Sequence, residues 1–300
     1  MCELKKNRDM SYGILTNIDM KRRKYKALYW SMFAFLVIYG VIISCFPVIW
    51  ILLSGFKTVK EMYAIPVTLF PENFDLGKLA DAWNSMKFYR YYLNTFLMAI
   101  GAVVSVLIVT GFAGYVLSKV KPKGSKFVFM VFFWVMLLPS TLRTVPLYMS
   151  FKDFPYLHIN MLDTYWPVWL IAASNTFDIL LFKNFFDGIS TSIVESAKID
   201  GAGPLRIFFR IMLPMSMPVF LIVAVLTFNG QLGSFFWPLL TISDKTKRVL
   251  GLQLYLMKSS NFSMDYQMLA IIFSIMPQLI IFAIFQKKII GGINVGAVKG

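Results

Sequence analysis

Several apolar runs of about 20 residues or more constrain this chain before any other feature. That length crosses a hydrocarbon core of ~30 Å. Six spans can be drawn, at about Leu28–Leu53, Thr95–Leu117, Phe127–Leu147, Tyr165–Phe182, Pro214–Leu239 and Leu269–Phe285. Barrel strands need only about 10 alternating residues, whereas these runs are long and continuous. A helix satisfies its own backbone groups in lipid, so the expected fold is all-α and membrane-embedded, with about six transmembrane helices. Composition agrees: 58% of residues are hydrophobic and 15% charged, where a soluble domain carries about 25% charged residues. The spans divide the chain into a tail at 1–27, a helical body at 28–285 and a second tail at 286–300. The polar leader reaches Lys26, and the apolar segment after it is too long for a signal-peptide core. It reads as a retained signal anchor.

The net charge of +15 admits nucleic acid or cytoplasmic membrane loops as its cause, and the apolar runs decide for the membrane. Basic residues concentrate in alternate loops. The first tail holds Lys5, Lys6, Arg8, Lys21, Arg22, Arg23, Lys24 and Lys26, and the loop after span two Lys119, Lys121, Lys123 and Lys126 without an acid. The loop after span four adds Lys198, Arg206 and Arg210, and the last tail Lys287, Lys288 and Lys299. In the segment from Gly55 to Asn94 acids nearly cancel the bases. The positive-inside rule therefore predicts both termini in the cytoplasm. The loop between spans five and six, with Lys245, Lys247, Arg248 and Lys258, weakens the bias without reversing it.

Nothing reads as an enzyme centre. Cys2 and Cys45 cannot plausibly pair, and His158 stands alone in a predicted outer loop, so no metal site is expected. No Gly-rich phosphate loop ending in Lys-Ser/Thr is present, so ATP would have to be bound by another chain. Asp178 is nearly the only acid within a span. It is either a functional group, the default for a membrane acid, or a residue near the inner edge partnered by Lys183 or Asn175. Prolines 47, 139, 146, 214, 218, 238 and 277 lie in or beside spans, as ordinary kinks or as breaks lining a moving cavity.

The stretch Ile193–Pro214 reads as two short helices meeting at a turn. Gly201 permits backbone angles that other residues resist. Gly203 precedes Pro204, which suits a first helical position. Arg206 and Arg210 share a face, and Leu205, Ile207, Phe208, Phe209, Ile211 and Met212 cover most of the rest. Such a unit is either an amphipathic interfacial linker or a bend offered to a cytosolic partner.

The residues Glu195-Ser196-Ala197, Asp200-Gly201-Ala202 and Ile211-Met212-Leu213-Pro214 resemble the EAA loop of the membrane subunits of binding-protein-dependent ABC importers. Serine replaces the middle alanine of the pattern. The resemblance covers nearly the whole chain and points to the carbohydrate branch and its shorter maltose-type permease subunit. Leu162-Asp163-Thr164-Tyr165, Phe235-Phe236-Trp237-Pro238-Leu239 and the Gly-rich ending from Gly291 fit that branch. Leu232-Gly233 stands where many relatives carry Trp-Asn, which puts a carried-over sugar contact there in doubt.

The resemblance implies a type I importer permease in the bacterial inner membrane. Two such subunits form the pathway for a sugar or oligosaccharide, two ATP-binding subunits hold ATP and Mg, and an extracytoplasmic binding protein delivers the solute. It makes about 184–213 the coupling loop, with Glu195, Ser196, Ala197, Asp200, Gly201, Ala202 and Gly203 at the ATPase contact. Glu195 would face a base, Ala197 pack close and Gly201 make the bend. Gly291, Gly292 and Gly296 read as a flexible tail, with Gly296, Ala297, Val298, Lys299 and Gly300 reaching the ATPases. Lys245, Lys247, Arg248, Tyr255, Lys258 and Asn261 are the expected binding-protein contact. A sugar path needs amides and flat apolar faces, which Asn229, Gln231, Ser234, Phe235 and Trp237 offer, with Asp178 as a further candidate. An ion-coupled carrier would need several intramembrane charges, and a membrane-embedded transferase convergent acids or histidines.

Overall fold

The computed structural model describes residues 23–257 and 262–297. Among them it is helical, with no strand. The helices are α1 (Arg23–Phe56), α2 (Val59–Met62), α3 (Gly77–Ser85), α4 (Phe88–Tyr115), α5 (Ser125–Leu137), α6 (Thr144–Lys152), α7 (Trp166–Ala173) and α8 (Thr176–Asp187). Then follow α9 (Thr191–Ile199), α10 (Pro204–Ile207), α11 (Leu213–Met215), α12 (Met217–Leu232), α13 (Phe236–Thr241), α14 (Leu250–Met257) and α15 (Met264–Ala297). Two compact units result, Met1–Phe74 and Asp75–Gly300.

In the first unit α1 is largely apolar after Lys26, and most of its side chains are exposed, Phe35 at 66% and Leu36 at 60% among them. After it, Thr58 and Glu61 close a reciprocal capping box at the start of α2. Lys57 donates to the Thr68 carbonyl and lies 4.8 Å from the centre of the Trp50 ring.

The second unit is built around α4, which continues through a π-helical turn to Val120. It packs on α7, α8 and α12. Close approach needs missing side chains: a Cβ on Gly101 would lie 2.2 Å from the Trp169 ring, and one on Gly114 2.6 Å from Phe182 Cβ. This is the small-residue packing by which membrane helices approach. Two cores sit along α4. One joins Val106, Tyr115, Phe182, Phe186, Phe208 and Phe220 near its C-terminal end. The other joins Met98, Val168, Ile242, Val249 and Leu252 near its N-terminal end.

The expected spans are met unevenly. Among the described residues three helices, Lys24–Phe56, Phe88–Val120 and Met264–Gln286, are long and apolar enough to cross a membrane, and up to five spans result if each bent pair counts as one. Expected span three is broken: α5 and the segment Ser140–Lys152 meet at 102°. Pro139 explains the break, because Leu138 before it takes the extended backbone that a following proline favours (ψ 131°). Pro204–Met215 and α12 meet at 80°. Expected span four divides into α7 and α8, of 8 and 12 residues, at Ser174–Asn175. Expected span five stops at Leu232 and resumes as α13. The tail expected to be flexible is instead helical through Gly291, Gly292 and Gly296 as far as Ala297.

Candidate functional site

The segment 190–214 folds as two helices and a turn. Ser190 caps α9, its side chain accepting from the Ser192 N–H at 3.3 Å. At the other end Gly201 takes φ +76°, the Gly201 N–H donates to the Lys198 carbonyl (3.0 Å), and the Ala202 N–H donates to the Ala197 carbonyl (2.9 Å). This pair of bonds around a left-handed residue is a Schellman closure. Gly203 is extended (ψ 163°) and Pro204 opens α10, as its ring favours.

The turn sorts the seven motif residues. Glu195, Ser196, Asp200, Gly201 and Gly203 are exposed. Ala197 is buried and Ala202 half-buried, both against the core of this chain. The two alanines therefore support the turn from within. Around the bend three apolar side chains point outward: Ile199 is 86% exposed, Leu205 65% and Phe209 55%.

The base of the turn is tied to the last turns of α4. Phe208 stacks on Phe112 with ring centroids 4.1 Å apart. The Tyr115 hydroxyl donates to the Pro204 carbonyl (3.2 Å) and Lys119 Nζ to the Ile189 carbonyl (2.5 Å). Asp187 is held on both sides: Ser118 Oγ donates to Oδ1 and Lys183 Nζ to Oδ2, each at 2.6 Å. Burial pushes the Asp187 carboxyl up, but the bonds from Lys183 and Ser118 outweigh it and hold the group below its ordinary value. Lys183 also lies 4.9 Å from the centre of the Phe129 ring. Lys121, Lys123 and Lys126 are exposed.

At the opposite end of α4 a second lock forms. Asp163 takes φ +57°, and its Oδ1 accepts from the backbone N–H groups of Ser243 (2.6 Å) and Asp244 (2.8 Å). Lys247 Nζ donates to the Asp163 carbonyl (2.8 Å), and the Tyr165 hydroxyl to the Lys247 carbonyl (2.9 Å). The Leu162–Tyr165 motif thus fastens the loop that follows α13.

Beside this lock a cavity of about 400 Å³ opens between the end of α12, α14 and α15. One wall is a flat aromatic pair, Phe235 on Tyr255 (5.1 Å between ring centroids, 17° between planes). Another is a face of α15 carrying Gln267, Ile271, Ser274 and Gln278. That polar stripe was not singled out in the sequence; its spacing of four, three and four marks one helix face. Of the expected path residues, Phe235 lines the cavity. Asn229 is exposed, Ser234 is half-buried, and the buried Gln231 Oε1 has no protein partner. Trp237 packs against the second core and the edge of Phe151, and Asp178 sits in the first turn of α8, hydrogen-bonded by the capping Asn175. Neither reaches the cavity lining. Lys245 and Lys247 are exposed, whereas Lys258 and Asn261 lie outside the described residues, as do Val298, Lys299 and Gly300. His158 pairs with Asp153 (3.0 Å) on the surface. No cluster of three potential metal ligands occurs among the described residues.

A helical membrane body with an exposed helix–turn–helix at its basic end suits the membrane component of a transporter. The chain belongs to the family of binding-protein-dependent transport system inner membrane components, whose profile matches residues 107–294. It is 29% identical over 272 residues to the diacetylchitobiose uptake system permease protein of Streptomyces coelicolor, covering 89% of this chain and 87% of that one. It is 28% identical over 260 residues to the arabinooligosaccharides transport system permease protein of Bacillus subtilis, covering 85% and 90%. The fold is similar to that of a chain in the crystal structure of a bacterial ABC transporter involved in the import of the acidic polysaccharide alginate. There the TM-score is 0.75 and the identity 24%, with 89% of this chain and 98% of that chain covered.

Proposed function

We propose that this chain is one permease subunit of an ATP-driven importer and forms half of a translocation pathway for a sugar or oligosaccharide. The observation that carries this reading is the α9–α10 turn. It is rigidly closed, fastened to a membrane-length helix, and offers Glu195, Ile199 and Leu205 outward. Rigid backing with an exposed apolar and acidic tip suits docking to a partner that does mechanical work. On this reading both termini and the basic end of α4 face the cytoplasm, and two ATPase subunits beneath hold ATP and Mg. A homologous permease completes the pathway, and a binding protein delivers solute to the opposite end, where Lys245 and Lys247 lie. The tail residues Gly296, Ala297, Val298, Lys299 and Gly300 contact the ATPase pair. The sugar class is supported by the relatives that transport diacetylchitobiose and arabinooligosaccharides.

The solute path in this subunit runs past the cavity at Phe235. The Phe235–Tyr255 face suits the apolar face of a sugar ring, and the amides of Gln267 and Gln278 suit its hydroxyls. Asn229, Gln231 and Ser234 lie on the approach to it. An ion-coupled carrier fits less well. The buried acids among the described residues are engaged, Asp178 by Asn175 and Asp265 by Lys78 at 2.8 Å. Affinity capture of the tagged chain from its own membranes tests the reading: an ATPase subunit should co-purify and hydrolyse ATP, and Glu195→Lys should reduce its recovery. Capture without any ATPase would exclude the proposal.

A further inference from the structure

The side chains of α4 and its π-helical extension grip a distant segment at each end. Near its N-terminal end the Asn94 amide donates to the carbonyls of Thr246 (2.8 Å) and Arg248 (2.9 Å). The next residue, Thr95, is 1% exposed; its hydroxyl accepts from the Leu250 N–H (2.8 Å) and donates to the Tyr91 carbonyl (2.6 Å). Two neighbouring side chains thus hold three backbone groups of the loop 246–250. At the basic end Tyr115 and Lys119 hold the backbone carbonyls of Pro204 and Ile189, and Ser118 holds the Asp187 carboxylate at the end of α8.

The helix between these grips runs unbroken from Phe88 to Val120. Of the three helices long and apolar enough to cross a membrane, α1 contains Pro47 and α15 contains Pro277, while the sequence of α4 contains no proline. The other candidate spans are bent or broken. Along its flank, Trp169 fills the space over Gly101 and donates to the Met98 carbonyl (2.9 Å), and Phe182 fills the space over Gly114. Interiors packed in this way shift between discrete arrangements and transmit strain.

We propose that α4 is a coupling rod: displacement of the loop 246–250 by an arriving binding protein is transmitted through Asn94 and Thr95 to the coupling turn, through Tyr115, Ser118 and Lys119. This rests on the functional reading above, which puts the binding protein at one end and the ATPases at the other. Asn94 and Thr95 are positioning residues that touch neither partner.

The test uses the assembled transporter in lipid nanodiscs with its ATPases and binding protein. The solute probe is a mixture of chito-, arabino- and galacto-oligosaccharides. The first readout is the ratio of stimulated to unstimulated ATP hydrolysis. The second needs no solute: the rate of maleimide labelling at Ile199→Cys in a Cys2→Ser, Cys45→Ser background. Asn94→Ala with Thr95→Val should lower the hydrolysis ratio about 2- to 30-fold and change the labelling rate, and Thr95→Ser should restore both. Ser118→Ala with Asp187→Asn should do the same. Independent sites so far apart (about 36 Å along the helix) give additive free energies and multiplying effects. The combined variant should instead be no worse than the weaker of the two, because both cut one line. Multiplying effects would overturn the rod. So would unchanged labelling in the Asn94/Thr95 variant while Glu195→Lys still alters it. If Glu195→Lys also changes nothing, the coupling reading itself falls and takes the rod with it.

Discussion

The two ends of the second unit are built by opposite means. At the basic end the candidate site is one contiguous stretch, 190–214, whose shape follows from local rules. It has a serine cap, a glycine at the left-handed position and a proline at the start of the next helix. At the other end nothing is contiguous. Asp163 fixes residues 243 and 244, Asn94 fixes 246 and 248, and the cavity draws on α12, α14 and α15. A local site keeps its geometry wherever the body carries it. A site assembled from distant segments changes geometry whenever those segments move. A transporter needs both properties: a firm part that receives force and a yielding part that admits and releases solute.

Four variants probe this contrast, from the largest expected effect to the smallest. Gly114→Leu should be the most severe, because the added side chain meets Phe182 and the backbone of Lys183. Overpacking costs about 1–3 kcal/mol or more, and the subunit should be lost from detergent-solubilised membranes at a lower temperature in a thermal aggregation assay. Asp163→Ala removes a carboxylate that accepts two backbone N–H groups. Bonds of this charged kind contribute about 1.5–3 kcal/mol, and limited proteolysis should begin in the loop 241–248. The turn at 200–203 should stay protected, which separates the two ends directly. Gln278→Ala with Phe235→Ala should alter uptake rates or solute preference among oligosaccharides, with ATPase recovery unchanged; unaltered uptake would assign the cavity to packing. Asp187 supplies the smallest effect. Its carboxyl titrates below its unfolded value of about 3.9, so its contribution is complete above that pH and is lost as pH falls through the lower, folded value. Its side chain is 38% exposed, which limits the ion pair to about 0.2–1 kcal/mol. Asp187→Asn should flatten the acid limb of the thermal stability profile slightly and leave the profile above pH 6 parallel to the parent.

The same contrast explains what could be read in the sequence. The helix–turn–helix at 190–214 was legible because the positive φ at Gly201 and the restart at Pro204 depend on residues a few positions apart. The membrane class was legible from apolar length alone. The break at Leu138–Pro139 was hidden because hydropathy continues through it; Pro139 marked the place, but a kink and a 102° bend look alike in sequence. The division of span four reflects the polar residues of α8, with Asn175 capping a new helix where one continuous span was expected. Trp237 and Asp178 have the residue types of a solute path, yet tertiary packing assigns one to a core and the other to a helix start. The polar stripe at 267, 274 and 278 carried a periodic signal, but only the opposing Phe235 and Tyr255 reveal that it borders a cavity. Asp187 carried only its four-residue spacing from Lys183, and its other partner, Ser118, lies 69 residues away.

The central claim is that the α9–α10 turn passes ATPase work into the membrane body, and Gly201 tests it most directly. No atom lies within 4 Å of a Cβ built there, so a side chain meets no clash and only the backbone angle of +76° resists it, which for a β-branched residue is a severe constraint. Solute-stimulated ATP hydrolysis should be measured in the reconstituted transporter for Gly201→Ala and Gly201→Val beside the parent. The account predicts graded loss, partial for alanine and near-complete for valine, with both variants inserted and assembled. Parental stimulation in the valine variant would contradict it.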